Sequence, residues 1–162
     1  MQIERIDVDG WQRLKAVRLA ALADAPEAFG STLAQAQRYG ASDWRQQLES
    51  LATYVAVVEK VDVGMARGVA DETSPGDALL VSMWVAPKAR GHGIGEQLIM
   101  AVIGWARAAG HSRLLLDVAD GNLPAVALYE RMGFEPTGET GSLPPPREHV
   151  MEHRRALYLA DR

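Results

Sequence analysis

The sequence predicts an α/β domain in which a mixed sheet carries helices on both faces. Two observations lead there. A nearly continuous apolar run, Ala78 to Val85, is followed by an amphipathic helix, a second apolar run and a short helix. That βαβα order lays its two strands parallel across a right-handed crossover. Ahead of it, short β-branched runs separated by turn residues read as hairpin strands.

The elements follow in order along the chain. Gln2 to Asp7 sets Ile3 and Ile6 among polar residues and reads as a short strand. Asp9 is placed to cap a helix over about Gly10 to Ala25, with Trp11, Leu14, Val17 and Ala21 on one face. Pro26 and Gly30 break that helix and leave Phe29 in a loop. A second helical stretch from Thr32 to Leu51 is interrupted at Gly40, with Ser42 as the cap of its second part. Thr53 to Glu59 is β-branched and reads as a strand. Gly64 to Ala70 is a weaker strand because of its glycines, and Asp71 to Asp77 is a turn. Ala78 to Val85 has the apolar continuity of a central strand covered on both faces. From Gly93 to Ala109, residues Ile94, Leu98, Ala101, Val102, Trp105 and Ala109 recur at helical spacing, and Gly110 ends the helix. Leu114 to Val118 is another buried strand. Pro124 to Met132 is a short helix stopped by Gly133, and Glu148 to Leu159 is a last strand. Pro144, Pro145 and Pro146 make a stiff turn too short to link domains, so residues 1–162 are read as one domain.

Composition excludes several classes. Apolar residues make up 48% and charged residues 23%, which is ordinary globular usage. The absence of cysteine removes disulfide scaffolds, zinc ribbons and thiol nucleophiles. No apolar run approaches the ~20 residues of a membrane span. The opening residues, MQIERIDVDG, lack the basic and apolar regions of a signal peptide, so a cytoplasmic protein is expected. Seventeen Lys and Arg against twenty-one Asp and Glu give a net charge of −4, which offers no bulk attraction to nucleic acid or acidic lipid.

The most informative segment is Arg90-Gly91-His92-Gly93-Ile94-Gly95, at a strand end and opening the strongest helix. Free backbone N–H groups and the helix dipole make such an N-terminus an anion site. Glycines let the main chain approach closely, and Arg90 adds a donor fork suited to phosphate. Gly95 is followed by Glu96 and Gln97 rather than Lys-Ser/Thr, so the loop is not a Walker A motif. Glu96 and Leu98 occupy the positions where a dinucleotide fingerprint beginning at Gly91 or Gly93 needs its third glycine.

The segment resembles the R/Q-x-x-G-x-G/A motif of the GNAT superfamily of N-acetyltransferases, which holds the pyrophosphate of acetyl-CoA. Ser82 to Pro87 resembles that family's fourth strand and its exit. Asn122 to Phe134, with Leu128-Tyr129 and Gly133-Phe134 in register, resembles its second motif. The match is specific from Leu80 to Phe134. It implies a twisted, mostly antiparallel sheet of about six or seven strands, splayed between the fourth and fifth. It also implies transfer of an acetyl group from acetyl-CoA to a primary amine of a small molecule by direct attack in a ternary complex. A protein N-terminus or lysine is the alternative acceptor, and a non-catalytic CoA-binding module is the alternative class. The protein would act as a monomer or homodimer, without a metal.

Site residues carried over from the resemblance are the main chain at Trp84 and Val85, for the pantetheine arm and the thioester carbonyl; the loop Arg90, Gly91, His92, Gly93, Ile94 and Gly95; and Asn122, beside the pantetheine arm. Tyr129 matches the family's general acid. Local sequence also suits plainer roles: Tyr129 as a core residue and Asn122 as an Asx turn before Pro124. The general base is not fixed by the motifs; Asp117 and Glu148 are its candidates, directly or through water, although each is more simply read as an ion-pair partner. Phe29, Gly30, Ser31 and Glu148 are the candidates for substrate contact. His149 to His153 fits H-x-x-E-H, a zinc motif that works only on a helix. On the expected strand, its two histidines would lie about 13 Å apart, too far for one metal.

Overall fold

The computed structural model describes residues 1–159. Seven strands form one sheet: β1 (Gln2–Ile6), β2 (Ala52–Val58), β3 (Val61–Ala70), β4 (Asp77–Val85), β5 (Arg113–Ala119), β6 (Glu135–Ser142) and β7 (Met151–Tyr158). Their order is β1-β2-β3-β4-β5-β7-β6, with every neighbour antiparallel except β4 and β5. The helices are α1 (Trp11–Asp24), α2 (Leu33–Gln37), α3 (Ala41–Ser50), α4 (Ile94–Ala108) and α5 (Leu123–Arg131). No described helix is long and apolar enough to cross a membrane.

Each face of the sheet carries its own core. Leu98, Ile99, Val102 and Ile103 of α4 pack on Ala66, Leu80, Leu114 and Leu116. On the other face, Leu14, Val17 and Ala21 of α1 and Trp44 and Leu48 of α3 pack on Val55, Met65 and Trp84. Strand alternation explains the sorting of Val55 from Ala56 and of Met65 from Ala66, since successive side chains point to opposite faces. It does not by itself explain Leu80 and Trp84, which stand four residues apart yet lie in opposite cores. The reason is a bulge. Met65 pairs with Trp84 and Arg67 with Val81, so β4 carries one extra residue there, and Ser82 takes φ +59°. One inserted residue reverses the parity of everything after it.

Several local expectations are corrected. Asp9 does not cap the first helix: Asp7 accepts from the Asp9 N–H at 3.0 Å and opens a single 3₁₀ turn, Val8–Gly10, before α1 begins at Trp11. Ser42 lies inside α3, whose entry is set by Asp43 accepting from the Gly40 N–H at 2.8 Å. Between them, Thr32 and Gln35 form a reciprocal capping box on α2. The strand weakened by glycines is the ten-residue β3, because a Cβ at Gly68 would lie 2.5 Å from the Trp105 ring that crosses it. The last strand starts at Met151, leaving Glu148 to Val150 in the preceding turn. β6 was not expected: Glu135–Ser142 contains Pro136 and two glycines and is largely exposed, and it becomes a strand by pairing with β7 at the sheet edge.

The parallel contact between β4 and β5 is only three residues long, Asp77 to Leu79 against Arg113 to Leu115. Arg113 donates from Nε and Nη2 to the two Asp77 oxygens at 2.9 and 2.7 Å, and Ser74 Oγ donates to Oδ2 at 2.7 Å. Asp77 is 5% exposed. The Arg113 guanidinium, ahead of the hydroxyl of Ser74, holds its carboxyl below the usual carboxylate range against the cost of burial. Replacing Asp77 by Asn is expected to lower stability by about 1–3 kcal/mol, read as a lower urea midpoint with an unchanged slope. Because the folded carboxyl titrates below its unfolded value near about 3.9, this contribution is full above that pH and is lost as pH falls through the folded value. The variant should therefore lose less stability on acidification than the parent.

Candidate active site

Past Leu79 the ladder between β4 and β5 ends, and the two strands diverge. A cleft of about 1510 Å³ enters this wedge. Leu80 to Val85 line one side of it, and Leu116 to Ala119 line the other. The start of α4 and one face of α5 close it on the sheet face that α4 covers, with the 24–31 loop and residues 149–152 across from them.

The glycine loop forms one end. Gly91 and Gly93 have φ of +83° and +78°, in the left-handed region that favours glycine. Gly93 is the N-cap of α4, and no side chain caps the helix there. A Cβ built at either glycine meets nothing within 4 Å, so both face open space beside uncapped amides. An anionic diphosphate fits that space and those donors. Gly95 is different: its Cβ would stand 3.1 Å from Leu128 and Met83, so its smallness lets α4 seat against α5 and β4. Ile94 is buried in the α4 core. Arg90 also lines the cleft, but Nε donates to the Val85 carbonyl at 2.9 Å and Nη2 to Asp24 Oδ2 at 2.8 Å. The exposed His92 is not among the lining residues.

Trp84 is buried in the α1 core, and its indole Nε1 donates to the same Asp24 oxygen at 3.0 Å. Asp24, unremarked in the sequence, thus joins the fourth strand, the glycine loop and the end of α1. Asn122 is the N-cap of α5, its Oδ1 accepting from the Ala125 N–H at 3.4 Å, and it also lines the cleft. Tyr129 lines the cleft with its ring edge-on to Phe134 at 5.8 Å. Burial alone pushes its phenol above the ordinary range, so the hydroxyl keeps its proton through neutral pH.

On the opposite wall, Phe29 is buried beneath the Arg18 guanidinium, whose carbon lies 4.7 Å from the ring centre. Gly30 and Ser31 line the cleft beside it. Arg147 holds this loop: it donates to the carbonyls of Phe29 at 2.5 Å and Gly30 at 2.8 Å, and to that of Pro26. Glu148 is exposed and does not line the cleft, so the structure does not bring it to the other candidates. Asp117 does line it, but both its oxygens accept from Arg154, at 2.9 and 3.1 Å.

The acid that the sequence reading passed over is Glu152. It lines the cleft, and its carboxyl is raised above the ordinary value, first by burial and then by the charge of Asp117. Its signal was present. Alternation along β7 sets Glu152, Arg154 and the buried Ala156 on one face. The H-x-x-E-H match drew attention to the flanking histidines instead. The structure puts them on a turn and a strand, with His149 3.7 Å from Glu27 and His153 against Asp120. Arg18 and Arg67 were also missed. Arg18 follows Leu14 by four residues and so lies on the buried face of α1, and Arg67 alternates onto the face of Met65.

Comparison with known proteins agrees with this fold. Streptothricin acetyltransferase of Streptomyces lavendulae is 33% identical over 108 residues, covering 67% of this chain and 56% of its own length. N-acetyltransferase 8 of Homo sapiens is 38% identical over 90 residues, covering 54% of this chain and 40% of its own. The matches to curated relatives span from about a quarter to just over half of those proteins. Among solved structures, the ribosomal-protein-alanine N-acetyltransferase of Brucella melitensis superposes with a TM-score of 0.80 at 24% identity, over 98% of this chain and all of that one. The yncA protein of Salmonella typhimurium, solved with acetyl-CoA, superposes with a TM-score of 0.79 at 16% identity, over 100% of this chain and 95% of that one. At those identities the shared property is the fold. The model of the Acetyltransferase (GNAT) family matches residues 17–134, well over half of the sequence, and the chain belongs to that family.

Proposed function

We propose that the protein is an N-acetyltransferase that moves an acetyl group from acetyl-CoA to a primary amine of a small molecule within a ternary complex. The observation that carries this reading is the continuity of the cleft. Uncapped amides at the α4 N-terminus and the open space at Gly91 and Gly93 lead directly into a wedge whose β4 edge has no strand partner.

When bound, acetyl-CoA supplies an activated thioester and an anionic diphosphate. The Gly91 to Gly95 main chain and the α4 dipole hold the diphosphate. Arg90 stands at the same end, fixed by the Val85 carbonyl and by Asp24, which balances its charge. The unpaired β4 edge near Trp84 offers backbone groups to the pantetheine amides and to the thioester oxygen, where fixed donors act most strongly. Asn122 keeps the α5 entry in place beside them.

An alkylammonium acceptor must lose a proton before it attacks, and Glu152 is the carboxylate suited to take it, directly or through water. Its partial burial and raised carboxyl bring it nearer to a working base than Asp117, which Arg154 neutralises, or Glu148, which stands outside the cleft. Tyr129 holds a phenolic proton for the departing thiolate. Its raised phenol keeps the acid form available at the pH where Glu152 is ionised.

Acetyl-CoA, but not NAD or ATP, should raise the melting temperature, and thiol release should follow when a panel of primary amines is added. Absence of thiol release on every amine despite acetyl-CoA binding would leave a binding module in place of an enzyme. Glu152→Gln is expected to lower kcat by about 10²–10⁴-fold. The parent should also lose activity as pH falls through the raised Glu152 value, because the base is then protonated, and the variant should lack that limb. Since burial penalises the charged form of Glu152, the same change should leave the melting temperature at neutral pH equal or higher. Tyr129→Phe should lower kcat more than it changes KM. In the parent, no alkaline loss traceable to Tyr129 should appear below about pH 10, the ordinary phenol value.

A further inference from the structure

Two arginines lie buried in the α1 side of the cleft with no countercharge among the described residues. Arg18 on α1 is 5% exposed and Arg67 on β3 is 6% exposed. Both line the cleft, and both line an adjoining cavity of about 150 Å³ that also touches Ser31, Tyr39, Trp44 and Gln47. Arg67 is tied to neutral acceptors: Nε and Nη2 donate to Ser82 Oγ at 2.9 and 2.7 Å, and Nη1 donates to Gln47 Oε1 at 2.7 Å. Arg18 lies over the Phe29 ring, and its buried Nη1 has no hydrogen-bond partner among the described residues. The buried Trp44 Nε1 is unpartnered as well. Among the described residues, no carboxylate comes within salt-bridge distance of either guanidinium. The nearby Asp24 serves Arg90 and Trp84.

A buried cation without a partner is one of the costliest arrangements a fold can keep. Burial disfavours the charged form of both arginines, and the charge of Arg18 disfavours that of Arg67 further. A guanidinium does not relieve this by losing its proton near neutral pH. The missing element is therefore an anion supplied from outside. The planar donor fork with a free Nη1 matches the two coplanar oxygens of a carboxylate.

We propose that Arg18, backed by Arg67, receives a carboxylate carried by the acceptor, so that the substrates are primary amines bearing a carboxylate, of which amino acids are the simplest. As a statement about the acceptor, this rests on the acetyltransferase reading. The anion pocket itself does not.

The test compares matched amines with acetyl-CoA: α-amino acids, their carboxamides, their decarboxylated amines, and amino alcohol phosphates. The acids should be preferred over the carboxamides by about 10–100-fold in kcat/KM, since a site built for a group rejects the analogue lacking it. Arg18→Gln should collapse that ratio towards unity, and Arg18→Lys should retain part of it. If the glutamine variant does not fold, the acid-to-carboxamide ratio of the unmodified protein decides the matter alone. Equal turnover of acids and carboxamides, or preference for the phosphates, overturns the inference while leaving the acetyltransferase reading intact. Calorimetric titration of the CoA-loaded protein with the same amino acids gives a readout independent of turnover. Binding of the acids that Arg18→Gln abolishes, with no thiol released, supports the pocket and overturns the catalytic reading instead. No binding of the acids overturns the pocket.

Discussion

The cleft depends on how little of β4 and β5 is allowed to pair. Three residues on each strand are joined, and the Asp77–Arg113 pair clamps the closed end of the wedge. A longer ladder would satisfy more backbone groups and leave no room between the strands. With no pairing at all, the sheet would divide into a β1–β4 part and a β5–β7 part held together only by the helices. The chain takes an intermediate course, with a short ladder fixed by a buried carboxylate that accepts from both a guanidinium and a hydroxyl. Beyond that point, strand edges that would otherwise hydrogen-bond to each other face a common space.

The bulge at Ser82 adds a second constraint to the same strand. By reversing side-chain parity, it sends Trp84 to the α1 core, where the indole meets Asp24, and turns Met83 and Val85 towards α4. The Ser82 hydroxyl accepts from Arg67, so a residue in a left-handed backbone conformation and a buried arginine support one another. The device that shapes the fourth strand is thus also the one that anchors the charge behind Arg18. Backbone strain and buried charge are thus concentrated at one place on the fourth strand.

What the sequence made legible follows from how local each signal is. The α4 periodicity, the glycine loop and the Asn122 to Phe134 segment are contiguous patterns, and each has its expected place in the fold. Entry caps depend on single side chains reaching two or three residues along the chain, and Asp7 and Asp43 took the roles read for Asp9 and Ser42. β6 has almost no strand character of its own, and its ladder with β7 comes from tertiary pairing. The glycine in β3 looked like a weakness because the Trp105 ring that requires it lies 37 residues away in sequence. Arg18 and Arg67 stood on apolar faces, visible as exceptions to the pattern. Their meaning rests on the absence of a nearby carboxylate among the described residues, which only three-dimensional packing reveals.

Arg147 grips the carbonyls of the 26–30 loop from the far side of the split sheet. The loop leaves α1, which packs against β3, whereas Arg147 follows the proline turn between β6 and β7. Arg147, with His149 beside Glu27, therefore ties together the two halves that the short β4–β5 ladder also joins. The sheet is fastened at both extremes and open between them, like a sleeve. A ligand held in the cleft would lie along the gap between these fastenings, with a strand edge on either side of it.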